Sequence, residues 1–316
     1  MTSQQCMSAI RIAAAVVIAA VSPGYAQVPP DLAAKLQSLG SVTEPRATAA
    51  LYAPSLATQS YAGVRVTRDL GYGSDNGQRL DLFAPEPMSA APLPVLVFIH
   101  GGGFVAGDKH AAGSPFFDNV MLWAVRHGMV GVNVNPRLAP LHQWPSGAED
   151  IGLAVQWVRK GIAANGGDPR RIFILGHSSG AALVASYIAQ PPLHGPDGVG
   201  LAGAILMSGN IFDPATADAS PSLTAYYGDD QHRYAERSAM PGLVQTPVPL
   251  MVTLTEFDPL PFTRQILALR DTLCGRGHCP TFNQFAGHNH FSQVYSINSS
   301  DESVDAAILA FIRATP

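Results

Sequence analysis

Five residues, Gly176-His177-Ser178-Ser179-Gly180, constrain this chain more than any others. The apolar run Arg171-Ile172-Phe173-Ile174-Leu175 precedes them, and the small-residue run Ala181 to Ile188 follows. The order is strand, G-x-S-x-G, helix. A serine in this position sits on a turn sharp enough to strain its backbone. The flanking glycines are needed because a Cβ there would strike the neighbouring strand or helix. The turn lifts the Ser178 hydroxyl clear of the sheet and sets it near a helix N-terminus, where free N–H groups favour an anion.

A second glycine stretch strengthens the reading. His100-Gly101-Gly102-Gly103-Phe104 directly follows the all-apolar strand Val95 to Ile99. Three glycines leave bare backbone, so a carbonyl oxygen can approach N–H groups closely. Gly102 and Gly103, with the N–H of Ser179, form the expected oxyanion hole, and Gly101 shapes its turn. His100 reads as a structural partner of the loop.

Around these motifs, strands alternate with amphipathic helices. Val64–Leu70 and Arg79–Phe83 read as a hairpin. Strands follow at Val95–Ile99, Met129–Val134, Arg171–Leu175, Ala202–Met207, Leu250–Leu254 and Phe282–Phe285. Helices are expected over Phe116–His127, Glu149–Ala164, the run after Ser178, Thr263–Leu273 and Ser303–Arg313. Continuous apolar strands separated by helices predict an α/β fold, with a mostly parallel sheet of about eight strands covered on both faces. Ahead of this, Leu32 to Gly40 reads as one short helix, capped by Asp31 and Gly40. Asp213 to Val244 breaks the rhythm and reads as either a cap over a pocket or a long surface connection.

The N-terminus reads as a signal peptide, residues 1–26. Arg11 precedes the apolar run Ile12–Val21, and Gly24-Tyr25-Ala26 fits cleavage before Gln27. The run is about half of the ~20 residues that span a bilayer, so stable membrane insertion is not expected. The expected address is periplasmic or secreted. Residues 27–63 form an N-terminal helical segment and 64–316 one catalytic domain. Of the 3 cysteines, Cys274 and Cys279 remain after cleavage and can pair in an oxidising compartment. A metal site with His278 lacks a fourth ligand. Charged residues are 13% of the 316, the formal net charge is −4, and no basic run occurs, which argues against a nucleic-acid partner.

The glycine loop, Arg137-Leu138-Ala139-Pro140, Trp144-Pro145, Glu149-Asp150, Gly167-Asp168-Pro169 and the serine turn together resemble an α/β-hydrolase of the hormone-sensitive-lipase-like carboxylesterase group. The elbow with His before Ser, and Gly287-His288-Asn289-His290-Phe291, resemble its kynurenine-formamidase-like and feruloyl/acetyl-esterase branches. The resemblance covers roughly Val64 to the C-terminus. It implies the eight-stranded hydrolase fold, no cofactor and no metal, and a small-molecule ester substrate. Pro136, Leu141 and Ser179 depart from the common Tyr, Glu and Ala of relatives.

A serine needs a base to take its proton, and in this fold an acid and then a histidine follow the nucleophile. Asp258, at the turn before Pro259, matches the family acid; Glu256 is the alternative. His278, His288 and His290 are the candidate bases, and His290, followed by Phe291, is expected to serve. The expected catalytic set is Ser178, Asp258 and His290. It hydrolyses short-acyl or small aromatic esters. The same set would serve an arylformamidase or peptidase-like amide hydrolase, and a third reading is a binding protein on an inactive hydrolase fold.

Overall fold

The computed structural model describes residues 28–316, so the signal segment and its cleavage site lie outside the described residues. Two helices come first, α1 (Pro30–Leu39) and α2 (Arg46–Leu56). Then follow β1 (Val64–Gly71), β2 (Arg79–Pro85), β3 (Leu93–Ile99), α3 (Asp118–Arg126), β4 (Val130–Asn135), α4 (Ser146–Gly161), β5 (Gly167–His177), α5 (Ser179–Ala189) and β6 (Gly203–Met207). The chain continues through α6 (Pro221–Tyr227), α7 (Met240–Leu243), β7 (Leu250–Phe257), α8 (Leu260–Gly275), β8 (Thr281–Asn289), α9 (Ser292–Tyr295) and α10 (Asp305–Ala314).

The strands form one sheet in the order β1-β2-β4-β3-β5-β6-β7-β8. β2 runs antiparallel to both its neighbours, and the other pairings are parallel. The expected mostly parallel, eight-stranded sheet with helices on both faces is what forms. Side-chain alternation divides the core in two. Val95, Val97 and Ile99 of β3, with Ile172 and Ile174 of β5, face α4, α5 and α8. Leu96, Phe98, Phe173 and Leu175 face α3, α10 and the N-terminal helices. Strands buried on both faces have no polar alternation to show, which is why they read as continuous apolar runs.

The N-terminal segment departs from expectation in two ways. Asp31 lies inside the first turn of α1, whose N-cap is Pro29, so it caps nothing; Gly40 ends the helix at φ +61°, its N–H on Leu36 O. A second helix, α2, was not foreseen, because Pro54 lies inside it and its apolar residues mark no clear stripe. Both helices are anchored by burial of Leu36, Tyr52 and Leu56. A polar cluster adds to this. Tyr52 donates to Asp301 Oδ2 (3.1 Å), Ser303 to Asp301 Oδ1 (2.6 Å), and Asn289 Nδ2 to Thr48 Oγ1 (2.9 Å). Thr48 ties α2 to the end of β8, and Tyr52 ties it to the loop between α9 and α10.

Cys274 and Cys279 are joined as a disulfide, with Cα atoms 4.1 Å apart, at the end of α8. Arg137 of the Arg-Leu-Ala-Pro stretch pairs with the fully buried Asp150, at 2.9 Å from Nε to Oδ1.

Candidate active site

Parallel strands deliver their C-terminal ends to one edge of the sheet, and the loops there carry the candidate residues. Ser178 follows β5 directly, with φ 57° and ψ −122°. This left-handed backbone is strained for a residue with a Cβ. Surroundings hold it there. Ser178 N–H donates to Met207 O (2.9 Å), and its own carbonyl accepts from Ala181 N–H (3.0 Å). A Cβ on Gly176 would lie 2.5 Å from Gly180 O, and one on Gly180 would lie 2.3 Å from Ile99 O. Both glycines are therefore required by close backbone approach.

The glycine loop meets the serine turn. A Cβ on Gly101 would lie 2.9 Å from Ser178 Cβ; one on Gly102, at φ +135°, would lie 1.9 Å from Ala106 O. Among the described residues, the N–H groups of Gly102, Gly103 and Ser179 have no protein acceptor. They are available to an oxyanion. His100 is buried, with Nδ1 2.7 Å from Gly101 O and Nε2 3.1 Å from Asn135 Oδ1, as a loop brace would be.

Asp258 lies in the turn after β7, and His290 follows β8. His290 Nδ1–H donates to Asp258 Oδ1 at 2.8 Å, and both side chains are buried. The bond fixes the tautomer and leaves the Nε2 lone pair free. Asp258 Oδ2 accepts from Ser208 Oγ (2.5 Å) and Thr255 N–H (2.7 Å). Burial works to raise this carboxyl, but the bonds from His290, Ser208 and Thr255 outweigh it and hold it below its usual range. It stays ionised. Glu256 has turned away: its Oε2 accepts Gly287 N–H at 2.7 Å. No hydrogen bond joins Ser178 Oγ to His290 here; the two share the cavity wall.

His177, His288 and His278 differ in kind. His177 Nε2–H donates to the His290 carbonyl (2.9 Å), so it both braces the histidine loop and borders the cavity. His288 is fully buried, 2.9 Å from Ser292 Oγ and 2.6 Å from Ser303 Oγ, and not at the surface. The last strand was expected to end at Phe285. Instead β8 runs on to Asn289, with Gly287 at φ +76° within it. His278 sits between the disulfide cysteines, away from the cavity.

Burial depresses His177 to about 3, helped by the neighbouring His290, and burial depresses His288 to about 4. Both are neutral in the folded chain at pH 7. The unfolded chain binds their protons near pH 6.5, whereas the folded chain refuses them until well below. Stability is therefore full above about pH 6.5 and falls as pH drops toward 4. The fall is on the order of 3 kcal/mol from His288 alone. Urea midpoints taken from pH 7 to pH 4.5 should decline, and His288→Asn should flatten the slope. A midpoint unchanged over that range counts against it.

The cavity above Ser178 has a volume of about 800 Å³. Phe117, Phe262, Phe291 and Tyr295 supply aromatic walls. Thr43, Glu44 and Pro45, between α1 and α2, close one side, so the N-terminal segment reaches the site. The irregular stretch 213–244 splits into two roles. Ala217 to Ser220 and Ser222 border the cavity. Its tyrosines are core: Tyr226 stacks on Phe104 with ring centroids 4.5 Å apart. Sequence reasoning missed Ser208, Gln293 and Asn210. Gln293 bonds Ser208 Oγ and also the His290 carbonyl (3.3 Å), bracing acid and histidine together. The only signal was a polar run, Ser208-Gly209-Asn210, immediately after an apolar strand.

A model of the carboxylesterase family matches residues 46–227. The match includes the glycine loop and Ser178 but ends before Asp258 and His290. Esterase LipC of Mycobacterium tuberculosis (strain ATCC 25618 / H37Rv) is 33% identical over 114 residues, covering 36% of this chain and 27% of that protein. The chain's matches span about a quarter of the length of such curated relatives. Among solved structures, a bacterial heroin esterase is 25% identical, with TM-score 0.67 over 92% of this chain and 98% of that one. Esterase B from Lactobacillus rhamnosis, 19% identical, has TM-score 0.71 over 90% of this chain and 95% of that one.

Proposed function

The chain belongs to the carboxylesterase family, and from that premise we propose that it is an exported serine esterase acting on small, neutral carboxylic esters. The observation that carries the reading is His290, held by Asp258 at 2.8 Å, on the wall of the cavity into which Ser178 opens. His290 Nε2 takes the Ser178 proton as Oγ bonds to the ester carbonyl carbon. Negative charge gathers on the carbonyl oxygen, where the N–H groups of Gly102, Gly103 and Ser179 receive it. The carbon–oxygen bond to the alcohol breaks as His290 returns its proton to that alcohol. Water, deprotonated by His290, then cleaves the acyl-enzyme, and Ser178 recovers its proton. The scheme calls for no cofactor.

Size and charge support the substrate class. A cavity of about 800 Å³ lies in the range of small-molecule sites, and its aromatic walls suit an apolar acyl or aromatic group. Glu44 and Asp218 are the charged wall residues, and Asp218 is 2.5 Å from Arg264. Among the described residues, no lysine or arginine borders the cavity to receive an anionic substrate. Export rests on the signal-like first 26 residues.

A hydrolysis panel tests the reading. Soluble acetate, butyrate and small aromatic esters should turn over faster than emulsified long-chain lipid. A fluorophosphonate should label the wild type, and Ser178→Ala should abolish labelling. Faster cleavage of aryl formamides or short peptides would move the assignment to amide hydrolysis. Labelling that survives Ser178→Ala would overturn it.

A further inference from the structure

The loop after β6 carries two polar residues, and only one belongs to the acid. Ser208 bonds Asp258. Asn210, two residues on, borders the cavity instead and is 6% exposed; among the described residues its amide makes no hydrogen bond, with Oδ1 closed off from solvent and Nδ2 left for the cavity. β6 lies between β5 and β7, so this loop stands between the Ser178 turn and the Asp258 turn. A second amide on the same wall gives the contrast. Gln265 Oε1 accepts from Phe212 N–H (3.0 Å) and Asp213 N–H (2.9 Å), and its Nε2 donates to Asp213 O and Thr216 Oγ1. Gln265 is consumed by the fold and Asn210 is not.

An amide taken out of water without a partner is costly, and native proteins satisfy nearly all such groups. Beside a nucleophile, the group that can satisfy it is the substrate. We propose that Asn210 is a specificity-determining residue that hydrogen-bonds a hydroxyl on the acyl or alkoxy part of the ester. Nδ2 donates, and a hydroxyl oxygen is a neutral acceptor for it. Glu44 and Asp218 on the same cavity argue for a hydroxyl over a carboxylate. The preferred substrates are small, neutral, hydroxylated esters. This rests on the esterase reading above and narrows its substrate class.

Matched pairs test it: methyl 3-hydroxybutyrate against methyl 3-methylbutyrate, and 2-hydroxyethyl butyrate against propyl butyrate. Wild type should favour the hydroxylated member of at least one pair by about 10- to 100-fold in kcat/KM, the range of one buried hydrogen bond. Asn210→Leu should erase that preference and leave the apolar member within about 3-fold. Asn210→Ala serves the same purpose if the leucine variant does not fold. Absence of preference in the wild type, its survival in the variant, or an equal loss on both members overturns the proposal. So does failure of both variants to fold, which would make Asn210 structural. Failure of the esterase reading looks different: the wild type would cleave none of the four esters and take no fluorophosphonate label.

Discussion

His290→Ala is expected to lower kcat by on the order of 10⁶-fold, the loss seen when a serine hydrolase is stripped of its base. His288→Ala, two residues earlier, is expected to lower stability and spare turnover. Alternation along a strand would send both side chains the same way. Here it fails, because β8 ends at Asn289. His288 is still inside the strand and points to Ser292 and Ser303. His290 lies in the turn that follows, with Phe291 as N-cap of α9, and points to Asp258. Removing His288 leaves two buried serines short of a partner and opens a cavity beside Asp301, which costs roughly 2–4 kcal/mol. The check is kcat per folded molecule, with unfolding followed by circular dichroism. Activity in a folded His290→Ala beside none in a folded His288→Ala would reverse the roles.

The serine turn, the glycine loop and the strand order were legible because each is enforced locally. Gly101, Gly176 and Gly180 must be glycine to avoid atoms 2.9 Å away or nearer, and such requirements leave a mark in the sequence. β3, β5, β6 and β7 were legible from apolar runs alone, since burial on both faces needs nothing else. The parts that stayed hidden depend on distant partners. α2 is held by Tyr52 reaching Asp301, 249 residues away, and its own sequence carries little periodicity. Ser208 and Gln293 meet only because β6 and α9 arrive at the same end of the sheet. The stretch 213–244 left a cap and a surface connection both open, because an aromatic cluster such as Tyr226, Tyr227 and Tyr234 reads the same whether it covers a pocket or fills the core. Asp31 precedes an amphipathic run as a cap would, but Pro30 begins the helix one residue earlier.

The second large effect separates two neighbouring carboxylates. Asp258→Asn should cut kcat by on the order of 10⁴-fold, as when an orienting carboxylate becomes an amide in a serine protease. Asp258 faces His290 with one oxygen and spends the other on Ser208 Oγ and Thr255 N–H. An asparagine that keeps those two donors must use its carbonyl for them, which turns its NH₂ toward His290 Nδ1. The ring then has to accept at Nδ1 and carry its proton on Nε2, where it can no longer take one from Ser178. The geometry survives while the tautomer is wrong, so folding should change far less than turnover. Glu256→Gln is the control. Its Oε2 accepts Gly287 N–H from the exposed side, and a glutamine carbonyl accepts the same bond, so kcat should stay within a few-fold. Ser208→Ala removes one of the bonds that hold Asp258 below the usual carboxylate range. It should raise the pH at which activity is lost on the acid side and lower the plateau far less than Asp258→Asn. The measurement is kcat against pH for the three variants, each confirmed folded. A large loss in Glu256→Gln with little in Asp258→Asn would transfer the role of the acid to Glu256.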